Sequence, residues 1–188
     1  MVTSILLLAL VTVAAVTDVR RHKIYNATTY SGIVLALLLG AGQSLVGQRS
    51  TWGSWLGGPP FADRLGGLLL CGGVMLVCYV FFHIGGGDVK LIAMIGAFMG
   101  PAQGIEVMLW TFVLGGACAL IVLVWKLGTW NLLRRFMQYV AAVLRLRSAR
   151  SLGGSLQGAA ATSLFLAPSA LAAVVLVHFD LLDKWNLI

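Results

Sequence analysis

Two aspartates stand out in this sequence because each lies at one end of an apolar segment. The chain has only six Asp and Glu residues among 188. Asp18 follows the first apolar run, and Asp88 directly precedes another. A carboxylate is costly to hold at the edge of a membrane-spanning segment, so a functional role is the default hypothesis. The alternative is that each carboxylate only caps a helix or pairs with a nearby Lys or Arg.

The residues around the two aspartates form two short patterns. Asp88 is preceded by three glycines, which are Gly85, Gly86 and Gly87. Glycines in front of a helix permit positive φ values and a close approach by an extended ligand strand. Lys90 follows Asp88 two residues later, and Ile24 and Asn26 follow Asp18. Since the chain contains 23 glycines, the glycine pattern before Asp88 is weak evidence for a functional site by itself. It must be weighed together with the pattern that follows Asp18.

Two carboxyl groups that lie close together can act as an acid and a base. They do not both ionise readily, and they share one proton. The ionised group can take a proton from water while the protonated group donates a hydrogen bond to a substrate carbonyl. The sequence leaves open whether Asp18 or Asp88 is the base. No serine or cysteine is paired with an obvious base, which argues against a nucleophilic hydrolase.

The other polar residues near the aspartates have simpler interpretations. Lys90 is expected to extend its ammonium group to the lipid headgroups, and a role beside the aspartates or on an acidic substrate group is the alternative. Asn26 is expected to cap a helix or to hold the loop that follows Asp18. The three cysteines form no CxxC pair and no His/Cys cluster, so neither a metal nor a cofactor is predicted.

Membrane-spanning helices must carry these residues, because 60% of the chain is hydrophobic and only 10% is charged. Soluble domains have about 45–50% apolar and about 25% charged residues. The composition excludes a water-soluble globule, a disordered chain and a disulfide-stapled module. It predicts an all-α polytopic membrane protein with one integral membrane domain over residues 1–188. The predicted bundle has about six transmembrane helices, at residues 2–17, 29–46, 65–82, 89–103, 105–125 and 159–179.

The fourth of these segments is the doubtful one. Its strongly apolar part, Val89–Met99, is too short to cross a bilayer core of about 30 Å. It either begins at Asp88 and continues beyond Pro101, or it is a partial span that lines a cavity.

The positions of Lys and Arg give the expected orientation. Most of the 13 lie on odd-numbered connections, which places those connections in the cytoplasm and both termini outside it. Asp18 and Asp88 then lie at the cytoplasmic face. The fifth connection, residues 126–158, is predicted to contain an amphipathic helix on anionic lipid. Membrane topology therefore explains the net charge of +7, and nucleic acid is not a predicted partner.

Together, the two aspartate segments resemble the type IV prepilin peptidase family, which are membrane aspartic proteases of the GxGD class. That family has one aspartate in a D-x5-I-x-N pattern after a helix and the other in GxGDxKL. Asp18, Ile24 and Asn26 match the first pattern, and the segment Gly85–Leu91 matches the second. Tyr25 is a departure, because the family commonly has proline at that place.

The resemblance implies an aspartic endopeptidase in the bacterial plasma (inner) membrane that needs no cofactor. It implies Asp18 and Asp88 as the catalytic pair. The residues expected to support the pair are Gly85, Gly86, Gly87, Lys90, Ile24 and Asn26. The implied partners are prepilins and pseudopilins, whose short basic leader is removed at the cytoplasmic face. The chain is most similar to the short members that serve tight-adherence (Flp-type) pili. It has no cysteine-rich region like that of the larger members, so N-methylation is not predicted.

Two other classes of function remain as alternatives. A transporter would use Asp18 and Asp88 in a proton or cation path, but it requires polar residues deeper in the spans, which contain almost none. A noncatalytic assembly factor of a pilus or secretion system could retain both aspartates without cleaving anything. A cleavage assay separates this second alternative from a peptidase.

Overall fold

The computed structural model describes residues 2–21, 25–46, 57–82, 85–127 and 166–179, and the fold is described over these ranges. The described residues form α-helices and contain no β-strand. The helices are α1 (Val2–Arg21), α2 (Asn26–Val46), α3 (Phe61–Phe82), α4 (Gly86–Leu127) and α5 (Leu166–His178). The last part of α4, from Gly115 onward, belongs to a second compact unit.

Helices α1 to α4 are each long and apolar enough to cross a membrane. The all-α membrane fold predicted from composition is therefore confirmed. The total of about six spans stays a prediction. The amphipathic helix predicted in the fifth connection lies outside the described residues.

Helix α4 is interrupted at Gly100, where the chain folds back. Gly100 has φ 82° and ψ −179°, a backbone conformation that is essentially restricted to glycine. A Cβ placed on Gly104 would lie 3.1 Å from the Cα of Gly96, although eight residues of straight helix would separate them by about 12 Å. Residues 86–99, called the first arm here, therefore form a helix of about 21 Å, shorter than a bilayer core of about 30 Å.

The first arm is the most buried part of this bundle, since every residue from Leu91 to Gly100 is buried. It crosses α3 at very short range. A Cβ on Gly96 would lie 2.9 Å from both the carbonyl carbon of Gly67 and the Cβ of Cys71. Small residues allow such an approach between helices in lipid, where packing rather than the hydrophobic effect holds helices together. Around this crossing, α1 packs against α2 and α5, and α2 packs against α3.

A buried arginine organises the end of the bundle where α1 and α3 begin. Arg64 is fully buried, and its Nε donates to the carbonyl of Pro59 at 2.9 Å, while its Nη2 donates to that of Gly57 at 3.3 Å. The hydroxyl of Thr3 donates to the same Gly57 carbonyl. A Cβ on Gly100 would lie 3.6 Å from Pro59, so the turn of α4 lies at this end as well. The first arm therefore runs from this end to the opposite one.

Candidate active site

The two aspartates meet at the end of the bundle opposite Arg64. Asp18 lies in the last turn of α1, and Asp88 lies in the first turn of α4. Both side chains are half-buried, and the two carboxyl groups are near enough to interact electrostatically. The structure therefore brings together the two carboxyl groups that the sequence singled out, although 70 positions separate them along the chain.

Gly85 makes room for one of these carboxyl groups. Its carbonyl accepts hydrogen bonds from the backbone N–H groups of Asp88, at 3.0 Å, and Val89, at 3.4 Å, which starts helix α4. A Cβ on Gly85 would lie 3.0 Å from Oδ2 of Asp88, which is tighter than nine in ten real Cβ contacts. A residue with a side chain would therefore crowd the carboxylate. Gly86 and Gly87 continue into the first turn, where Gly86 is exposed and Gly87 is half-buried.

Lys90 makes contacts within the protein. Its Nζ donates a hydrogen bond to Oδ1 of Asn26 at 2.8 Å and lies 4.8 Å from the ring centroid of Tyr30. Both partners belong to α2. This contact joins α4 to α2, and the expected extension of the Lys90 ammonium group toward lipid headgroups stays a prediction.

Asn26 is the first residue of α2, and the carbonyl of the preceding residue starts that helix. The carbonyl of Tyr25 accepts hydrogen bonds from the N–H groups of Thr28, at 3.1 Å, and Thr29, at 3.4 Å. The side chain of Asn26 instead accepts the hydrogen bond from Lys90. The side chain of Asn26 therefore links α2 to α4, and both interpretations of Asn26 drawn from the sequence stay predictions.

Tyr25 contacts the end of α1. Nη1 of Arg21 donates to the Tyr25 hydroxyl, and the guanidinium carbon lies 5.9 Å from the Tyr25 ring centroid. These contacts join the two ends of the connection between α1 and α2. Ile24, the remaining residue singled out in this segment, lies outside the described residues.

Sequence reasoning missed two residues near the site, Tyr30 and Arg21. Tyr30 follows Asn26 by four positions, so both lie on one face of α2, and this spacing was a usable signal. Arg21 was counted only as a positive charge at the membrane surface. Within the described ranges, no group of three or more His, Cys, Asp or Glu residues is arranged to hold a metal ion.

The fold and site together define a polytopic α-helical membrane protein with two interacting carboxyl groups at one end of its bundle. A comparison with protein families matches residues 5–120 to the type IV leader peptidase family. The match covers more than half of the chain and includes both aspartate segments, so the chain belongs to this family. Neither curated proteins nor solved structures give a match. Membership implies a prepilin leader peptidase, which is an aspartic protease that acts on prepilin substrates.

Proposed function

We propose that this protein is the membrane-embedded endopeptidase that removes the short basic leader from Flp-type prepilins and pseudopilins. Asp18 and Asp88 are the catalytic residues, and cleavage takes place at the cytoplasmic face of the bacterial plasma membrane, with both termini on the other side. The observation that carries the proposal is the proximity of the two carboxyl groups at one end of the bundle. The family match supports the reaction, and the resemblance to short family members supports the Flp-type substrate.

The pair performs hydrolysis through its shared proton. The ionised carboxylate takes a proton from water, and the water oxygen then bonds to the scissile carbonyl carbon. The protonated carboxyl donates a hydrogen bond, and then its proton, to the carbonyl oxygen. When the tetrahedral intermediate collapses, the C–N bond breaks and the leaving amine receives a proton from the pair, while one hydroxyl of the intermediate returns its proton to the pair as the carboxyl group of the product forms. One water is consumed, and the pair returns to its initial state of one proton.

Positive charge next to the pair supports the cytoplasmic location. Arg20 and Arg21 lie in the last turn of α1, directly after Asp18. The positive-inside rule places such residues in the cytoplasm. A prepilin leader stays in the cytoplasm while the helix that follows it lies in the membrane. A cut between leader and helix therefore needs carboxyl groups at this edge of the bundle and not in its centre.

Coexpression with a Flp-type prepilin, followed by mass measurement of the pilin, tests this function. Asp18→Asn and Asp88→Asn should each abolish leader removal while the protein remains inserted and abundant. Asparagine keeps the shape of aspartate but cannot exchange the proton. The double variant should be no worse than either single variant, because the pair acts as a unit.

Asp63→Asn is the matched control. Asp63 lies in the first turn of α3 and is exposed, and its Cβ is near Gly100 at the opposite end of the bundle. This variant should process precursor at the wild-type rate. Substantial cleavage by either single variant at Asp18 or Asp88 would refute the two-aspartate mechanism and favour the assembly-factor alternative.

A further inference from the structure

The first turn of α4 is held on two different sides. Asp88 and Lys90 are two positions apart, so their side chains leave the helix about 200° apart and do not face each other. Asp88 lies beside Asp18 of α1, whereas Lys90 is bonded to Asn26 of α2. The position of this turn relative to α1 therefore depends on α2 as well.

The contacts form a closed ring that starts and ends at the aspartates. From Asp18, helix α1 continues for one turn to Arg21, which contacts Tyr25. Asn26 follows Tyr25 in the chain and accepts the hydrogen bond from Lys90, which lies two residues from Asp88 in α4. The ring thus closes where the two carboxyl groups are near enough to interact electrostatically.

The link between α4 and α2 in this ring has a specific chemistry. The two carboxylates repel each other when both are ionised, so another contact has to hold their helix ends together. The ammonium group of Lys90 makes two such contacts, a hydrogen bond to Oδ1 of Asn26 and a cation–π contact with the ring face of Tyr30. Because Asn26 and Tyr30 are exposed, the charged hydrogen bond and the cation–π contact are each modest, and they act together on the same ammonium group.

We propose that Lys90 is a positioning residue that fixes the separation of Asp18 and Asp88 by holding α2 against the first turn of α4 through Asn26 and Tyr30. This inference rests on the proposed function for its catalytic consequence. Its geometric part, the dependence of the carboxyl separation on Lys90, stands independently of the reaction.

Steady-state cleavage of a purified prepilin tests the catalytic consequence. Lys90→Met keeps the length of the side chain but removes the charge and the donor. It should lower kcat about tenfold with KM within about twofold of wild type, as expected for a lost charge-assisted hydrogen bond. Asn26→Ala should have the same effect, and the double variant should be no slower than either single variant.

Two further variants separate positioning from a general loss of structure. Asn26→Asp retains an acceptor for the ammonium group, so it should keep kcat within about threefold of wild type when Lys90 is present. Ser31→Ala is the control within α2, because that hydroxyl is exposed and donates to the carbonyl of Thr28 in its own helix. Its cleavage should be unchanged. If Lys90→Met does not accumulate, the comparison of Asn26→Ala with Asn26→Asp tests the same contact.

A crosslinking measurement tests the geometry without any cleavage. Asp18→Cys and Asp88→Cys are combined after the three native cysteines have been replaced by serine. A short bifunctional thiol reagent should join the two positions rapidly. Adding Lys90→Met should slow this reaction about tenfold, while Ser31→Ala should leave it unchanged.

The possible results separate this inference from the proposed function. If the wild type cleaves no prepilin but crosslinking still depends on Lys90, the function is wrong and the positioning role stands. Crosslinking that is independent of Lys90 would overturn the inference. A rise in KM alone after Lys90→Met would also overturn it, because Lys90 would then contact the substrate. The same holds if the losses from Lys90→Met and Asn26→Ala multiply, since the two residues would then act separately.

Discussion

Replacing Gly67 by alanine should destabilise this protein, because Gly67 faces the backbone of the first arm of α4. A Cβ on Gly67 would lie 2.7 Å from the carbonyl carbon of Gly100 and 2.9 Å from its Cα, and closer still to the carbonyl oxygen of Gly96. These neighbours are backbone atoms, which cannot rotate away as a side chain can. The added methyl group must therefore push the helices apart.

The size of the effect follows from the distances. The contact with the Gly100 carbonyl carbon is about 0.7 Å short of an ordinary van der Waals contact of 3.4 Å. Overpacking of this kind costs about 1–3 kcal/mol of the free energy of unfolding. In a chain of this size, each kcal/mol lowers the melting temperature by about 2–4 °C. Gly66→Ala is the matched control, because a Cβ there meets nothing within 4 Å and should leave the melting temperature equal or slightly higher.

Thermal unfolding in detergent can be followed through the thiol of Cys71. Cys71 is fully buried, with its thiol beside Gly104 of α4, so it reacts with a thiol-specific dye only after the helices separate. Cys78 and Cys118 are more exposed and are replaced by serine for the measurement. If Gly67→Ala and Gly66→Ala protect the thiol to the same temperature, α3 and the first arm do not cross in this way and the packing described above is wrong.

Two other substitutions test the turn of α4 and the space beside Asp88. Gly100→Ala should lower the free energy of unfolding by about 1–3 kcal/mol in the same assay, because the backbone conformation of Gly100 is essentially restricted to glycine. Gly116→Ala is the control, since a Cβ there meets nothing within 4 Å, and equal melting temperatures for the two variants would contradict the fold-back. Gly85→Ala should lower the rate of leader removal roughly tenfold with little change in stability, because its methyl group displaces the Asp88 carboxylate. Gly86→Ala is the control, with 3.9 Å to its nearest neighbour, and equal rates for the two would contradict the crowding.

The fold class could be predicted from composition, but the ends of the helices could not. Hydropathy marks the part of a helix that lies in lipid, and the predicted first span ends at residue 17. Helix α1 continues to Arg21, because its backbone hydrogen bonds do not stop where the apolar residues do. Asp18 therefore lies on a helix and not in a loop. Hydropathy divided this region at residue 104, between the predicted spans 89–103 and 105–125, whereas the chain turns at Gly100, where the Gly100–Pro101 pair is a further local signal.

The candidate site shows a similar division between what the sequence contains and what only the fold reveals. Asp18 and Asp88 could be singled out, because a carboxylate at a membrane edge is unusual wherever it occurs. The partner of Lys90 could not be predicted, since Asn26 is 64 positions away and a lysine at a membrane edge also suits lipid headgroups. Arg64 was counted only as a charge for orientation. Its burial depends on the carbonyl groups of residues 57–60, which no side-chain pattern encodes.

The position of Asp88 depends on contacts spread along the whole first arm. In lipid, apolar side chains gain little by leaving their surroundings, so helix positions depend on close packing and on polar contacts. The first arm has all of these: the turn at Gly100 lies beside the segment held by Arg64, Gly96 packs on α3, and Lys90 is bonded to α2. Gly96 lies eight positions from Asp88, about 12 Å along the helix axis. A rigid helix of this length converts a displacement at the crossing with α3 into a displacement of the carboxyl group. Small residues far from the aspartates therefore contribute to the geometry of the pair, even though they take no part in its chemistry.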